Sequence, residues 1–152
     1  MERLQRHVAL QELSRDHHFA LVLARRSRLA AETGDPAAVA AQWAEVRRLL
    51  ELELAPHFAV EETLLVPALV AIGEAALAER LMAEHTSLRR HLDPTGSDPR
   101  PRLLSFGRLL QHHVRFEEQE LFEVAQRGLT PAQLEAIARA ADFPRPHRDP
   151  AH

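Results

Sequence analysis

The sequence predicts an all-α chain: an up-down-up-down four-helix bundle with a short fifth helix near its C-terminal end. Three observations carry that expectation. Alanine, leucine, glutamate and arginine dominate, and the period-two alternation of β-branched residues that marks strands is missing. Apolar residues instead recur at three- and four-residue steps over long stretches. Turn-forming clusters divide the chain only near 32–36, 73–74, 93–101 and 128–130, leaving short connections that suit antiparallel neighbours.

The first helix is expected from about Leu4 to Ala31, with Leu10, Leu13, His17, Leu21 and Ala24 on one face. Gly34 stops it, and Asp35 then Pro36 supply a cap and first residue for the second. That helix reads from Pro36 to about Val70, with Val39, Trp43, Val46, Leu50, Leu54, His57, Glu61 and Leu64 inward. Pro56 removes a backbone donor and should kink it just before His57, and Pro67 should bend or end it again. The third helix runs from near Gly73-Glu74 to Leu92, with Leu77, Leu81, His85, Leu88 and Leu92 as its stripe. After an exposed loop at Asp93–Pro101, the fourth runs from about Arg102 to Arg127. Phe106, Leu109, Leu110, His113, Phe116, Glu117, Leu121 and Val124 face in, and Gly128 stops it. Thr130-Pro-Ala-Gln133 caps a short fifth helix reaching about Ala140. Residues 1–141 read as one domain, and 142–152 as a flexible Pro-rich tail.

Composition narrows the chemistry. A formal charge of −3 gives no basic field for nucleic acid, and the arginine clusters (Arg25, Arg26, Arg28; Arg47, Arg48; Arg89, Arg90) fall on expected solvated faces. There is no cysteine and no tyrosine, which excludes disulfides, thiolate metal sites and tyrosyl chemistry. The N-terminus has no apolar core of a leader peptide and no run is expected to reach the length of a membrane span, so the expected location is cytoplasmic with no membrane partner. The excess is in histidine, of which there are 10.

Those histidines are patterned. His57-Phe-Ala-Val-Glu-Glu-Thr-Leu-Leu-Val66 is repeated in register by His113-Val-Arg-Phe-Glu-Glu-Gln-Glu-Leu-Phe122. In each, a His and a Glu four apart share one helix face, one turn from each other. The repeat extends further: Asp16-His17 on the first helix is echoed by Glu84-His85 on the third. The chain thus reads as two helix pairs, each with a lone histidine followed by His-x-x-x-Glu.

A single mid-helix histidine on an apolar stripe is ordinarily a satisfied core residue, and a single His-x-x-x-Glu a solvated pair. One such group on every helix of a bundle is different, because buried ionisable groups are costly unless paired or bound to a metal. His17, His57, Glu61, His85, His113 and Glu117 offer two histidines to each of two divalent iron ions and two glutamates able to bridge them. Imidazole and carboxylate without sulfur suit iron, with manganese or zinc as possible substitutes. On the first helix His18 stays an alternative to His17, since it too has a leucine three residues on (Leu21). His113 is preferred to His112, which has no glutamate one turn on. Glu62 and Glu118 also match between the repeats, and could support the ligands or lie at the surface. His7, His91, His147 and His152 have no such context and default to the surface or tail.

The pattern resembles the haemerythrin family, in particular its histidine–histidine–glutamate (HHE) cation-binding branch. The residues that carry the resemblance are His17 or His18, His57-x-x-x-Glu61-Glu62-x-x-Leu65, Glu84-His85-x-x-Leu88 and His113-x-x-x-Glu117-Glu118-x-x-Leu121. The resemblance implies a four-helix bundle around a non-haem di-iron centre with carboxylate and oxo or hydroxo bridges. This chain departs from the oxygen carriers of that family, which place a further histidine where it has Arg89 and use a longer His-to-Asp spacing on the fourth helix. A nearly symmetric ligand set follows, with exchangeable positions on both irons. The resemblance then implies binding or sensing of oxygen, nitric oxide or iron in stress response or iron homeostasis, with a small diatomic ligand as partner. The alternatives are a di-iron oxidoreductase of peroxidase or nitric-oxide reductase type, for which no extra inward acid or base is evident, and a metal-free helical adaptor.

Overall fold

The structure, a computed structural model, describes residues 5–145. A 3-10 turn at Val8–Leu10 leads into α1 (Gln11–Thr33), followed by α2 (Pro36–Ala71), α3 (Ala75–Arg90), α4 (residues 99–128) and α5 (Pro131–Ala141). Helices α1–α4 form the up-down-up-down bundle, α5 packs across its end, and no strand occurs among the described residues.

Local chemistry sets the boundaries. Gly34 closes α1 at φ 71°, a left-handed conformation that a side chain would disfavour. The Asp35 carboxylate then accepts from the Ala37 N–H (3.1 Å), with Pro36 in the first turn of α2. Thr130 and Gln133 cap α5 reciprocally, at 3.1 and 2.8 Å. Two starts differ from expectation. Helix α1 begins at Gln11 instead of near Leu4, because the His7 ring accepts from the Ala9 N–H (3.0 Å) and tightens the entry into a 3-10 turn. Helix α4 begins at Pro99 instead of near Arg102. Asp98 caps it (3.1 Å to the Arg100 N–H), and prolines are tolerated where first-turn N–H groups have no intrahelical partner.

The prolines of α2 do not break it. The helix continues to Ala71 through two π-helical turns, Leu50–Leu54 and Glu61–Leu65, and α4 has a third at Glu117–Leu121. The wider turn at Leu50–Leu54 relieves the crowding that the Pro56 ring imposes on the carbonyl four residues back. At the other two, the carbonyl of a glutamate accepts from the N–H five residues ahead: Val66 to Glu61 and Phe122 to Glu117. Each adds about one residue per turn, so the inward face slips by one beyond it. Leu65 is buried in place of Leu64, and Phe122 and Ala125 in place of Val124. In α1 the inward stripe is Leu13, His17, Ala20, Leu23 and Ala24, while Leu21, placed inward by its spacing, is 39% exposed.

The core falls into two apolar clusters. One gathers Leu10, Leu13, Leu65, Leu69, Leu81, Leu121 and Phe122 with Leu134 and Ile137 of α5. The other gathers Trp43, Val46, Phe58, Leu88, Leu103, Phe106 and Leu110. Helices α1 and α4 approach so closely there that a Cβ on Gly107 would lie 2.8 Å from the Ala24 carbonyl oxygen. Between the clusters sits a layer of buried polar side chains. Helix α2 is, by length and composition, long and apolar enough to cross a membrane, contrary to the sequence expectation; yet its His57 and Glu61 lie in that polar layer, buried against the other helices.

The tail also departs from expectation. Phe143 packs against the first cluster, and Arg145 is buried, so ordered structure extends past residue 141. The remainder of the expected flexible tail, with His147 and His152, lies outside the described residues.

Candidate metal centre

Every helix of the bundle sends a histidine into the polar layer. His17, His57, His85 and His113, with Glu61 and Glu117, are all 4% exposed or less. They form two groups, His17, His57, Glu61 and Glu117, and Glu61, His85, His113 and Glu117, in each of which one ligand-capable atom per residue lies within 4.8 Å of the others. Both glutamates belong to both groups. His18 and His112, the adjacent candidates, are exposed, so α1 contributes His17 and α4 contributes His113.

The outer nitrogen of each histidine is held by an acid. Nδ1 of His57 donates to Asp16 (2.9 Å), His85 to Glu62 (2.6 Å), His113 to Glu84 (2.7 Å) and His17 to Glu118 (2.7 Å). The acids run round the bundle in chain order: α1 holds the histidine of α2, α2 that of α3, α3 that of α4, and α4 closes on α1. An ionised carboxylate only accepts, so Nδ1 must be the donor and each Nε2 is turned into the cluster. Glu62 and Glu118, left open between support and surface, are therefore supports. The acid preceding each lone histidine also acquires a role: the residues before His17 and His85 point about 100° round the helix, to the next helix rather than to the centre.

The inner atoms converge without adequate partners. Nε2 of His113 lies 2.6 Å from Glu117 Oε2, that of His85 3.2 Å from Glu61 Oε1, and that of His57 3.3 Å from the same oxygen. Despite this proximity, both Glu61 oxygens, Glu117 Oε2, and Nε2 of His85 and His113 are buried with no hydrogen-bond partner. Native interiors rarely leave such atoms orphaned, and a cation satisfies all of them at once. The residues present fit two metal ions.

In the absence of metal the same atoms form a tight ion cluster. Burial pulls the His113 pKa down, but the facing Glu117 charge and the Glu84 hydrogen bond outweigh it and raise it to about 10. His57 and His17 are likewise raised against burial, mainly by the charges of Glu61 and Glu117 respectively. Burial pushes the Glu117 carboxyl up, but His113 and His17 hold it well below its ordinary 4.5. Aromatic rings wall the cluster: Phe58 stacks on His85 at 3.9 Å between centroids, and Phe122 on His17 at 5.3 Å.

Sequence spacing gave no sign of an arginine layer outside the acids. Arg145 pairs with Asp16, Arg89 with Glu62 (2.7 Å), Arg80 with Glu84 (3.0 Å) and Arg6 with Glu118 (3.5 Å). Only Arg80–Glu84, four apart on one helix, carried a local signal. Arg89 is thus occupied with Glu62 and lies outside the ligand layer.

A buried centre of paired carboxylates and histidines in a four-helix bundle defines the class, a cation-binding helical bundle protein. Residues 8–125 match the family described as Hemerythrin HHE cation binding domain, and the chain belongs to that family. No curated protein and no solved structure matches it.

Proposed function

We propose that the protein is a di-iron binding protein whose centre takes up a small diatomic ligand, oxygen or nitric oxide, and so serves as a sensor in stress response or iron homeostasis. In this reading His17 and His57 hold one iron, His85 and His113 the other, and Glu61 and Glu117 bridge them. The observation that supports it best is the set of buried, orphaned atoms of Glu61, Glu117, His85 and His113, converging between histidines whose far nitrogens are already held. Bound iron would supply reversible binding of a diatomic molecule and one-electron chemistry.

The chain's own part is positional. Four carboxylates fix four imidazoles, which lets the site form with little reorganisation. Among the described residues, four histidines and two glutamates occupy the inner layer, fewer donors than two six-coordinate ions use, which favours open positions on both. The apolar clusters on either side limit water. A metal-free adaptor is disfavoured, since it would leave buried atoms of Glu61, Glu117, His85 and His113 without hydrogen-bond partners. The test is a titration of the anaerobic ferrous protein with nitric oxide or oxygen, followed by visible absorption. Saturable spectral change with a stoichiometry tied to iron content supports the reading, and iron-loaded protein with an indifferent spectrum refutes it.

A further inference from the structure

The two half-sites match in their histidines and acids but differ in what holds the acids. The half built on His85 and His113 leans on Arg89 and Arg80, both from α3, whose side chains are 43% and 49% exposed. The half built on His17 and His57 leans on Arg6 and Arg145, whose side chains are 13% and 4% exposed. Both of these lie outside residues 8–125, the part that matches the family. Arg145 is the most firmly held of the four. Its Nε and Nη2 grip both oxygens of Asp16, and the Nη2 bond (2.9 Å) shares the oxygen that accepts from His57 Nδ1. Nη1 donates to the Phe143 carbonyl (2.8 Å), and the guanidinium lies 3.6 Å from the Phe143 ring centroid. A side-on guanidinium–carboxylate pair fixes orientation as well as charge. On Glu62 and Glu84 the corresponding arginines are nearly half exposed, so those pairs are more strongly screened than the one on Asp16.

We propose that Arg145 is a positioning residue that locks Asp16, and through it His57, so that the metal on His17 and His57 is retained while the metal on His85 and His113 exchanges. This rests on the two-metal reading above. The ordered segment after α5 thereby makes a symmetric ligand set unequal, and assigns metal exchange to the α3 side of the bundle.

The test uses the full chain loaded anaerobically with ferrous iron and mixed with excess ferrous chelator, following release in time. Wild type should release its iron in two phases of equal amplitude. Arg145→Gln should accelerate the slow phase by about 10- to 100-fold and leave the fast phase alone, the usual effect of removing an outer partner of a ligand. Arg145→Lys, which keeps the charge but loses the side-on grip, should be intermediate, and it carries the test should the glutamine variant fail to fold. Arg89→Gln should affect only the fast phase, and His85→Ala should retain one iron that leaves at the slow rate. A purely structural role for Arg145 would lower the melting temperature of the metal-free protein without selectively accelerating the slow phase. Two irons released in one phase, or an Arg145→Gln chain with both phases equally faster or both unchanged, would overturn the inference. A chain that never binds two irons instead overturns the reading on which it rests.

Discussion

Replacing Glu117 by glutamine removes one charge while keeping the volume, so no cavity contributes. Glu117 is wholly buried and faces Nε2 of His113, His17 and His57 at 2.6, 3.1 and 3.7 Å. In the metal-free protein those imidazoles are held protonated by the buried carboxylates, so the substitution leaves buried positive charge without its partner. Breaking a buried pair in this way costs about 3–5 kcal/mol. The pH dependence follows from the shifts. His113 is raised from 6.5 to about 10, so its stabilising contribution is complete below 6.5 and lost as pH rises through about 10. Glu117 is lowered below 4.5, so its contribution is present above 4.5 and lost as pH falls through its folded value. The deficit of Glu117→Gln should therefore be largest at pH about 6 and shrink toward about 10. Urea unfolding of chelator-treated wild type and variant at these pH values measures it. A variant as stable as wild type at the lower pH, or a deficit indifferent to alkali, would refute the assignment of the cluster as mutually charged.

Three further outcomes are expected. Metal uptake should release protons and weaken steeply in acid, because ions must displace the protons that His17, His57 and His113 hold with raised pKa; potentiometric titration during loading measures the release. His18→Ala and His112→Ala should leave metal stoichiometry unchanged by elemental analysis, since both side chains are exposed. Phe58→Ala should destabilise the fold by about 3–5 kcal/mol in denaturant unfolding, since it deletes a large ring from the core; Phe58 is 2% exposed and stacks on His85.

Much of the fold and the inner layer could be read from spacing alone, because both are periodic. The His-x-x-x-Glu repeat and the histidine on each remaining helix follow helical geometry, and the structure gathers all six inward groups in one layer. What spacing missed has physical causes. The π-helical turns shift the face by one residue, so Leu64 and Val124 were placed inward where Leu65 and Ala125 lie. Those turns begin at Glu61 and Glu117 and leave no signature in a 3.6-residue period. Spacing favours His17 over His18 without excluding His18, and the packing of neighbouring helices, which buries His17 and leaves His18 exposed, decides it. The outer layer joins residues far apart in the chain: Arg145 reaches Asp16 across 129 positions, and no local pattern predicts that. A proline-rich end reads as mobile until a buried acid is found waiting for its arginine.

Two metal ions held by one shared pair of glutamates are central to the proposed function. Elemental analysis of protein purified without added metal, read with its visible spectrum, tests that most directly. The prediction is two irons per chain, lost from a His57→Ala, His113→Ala protein. A chain that purifies without metal, or a double variant that still holds two irons tightly, would contradict it.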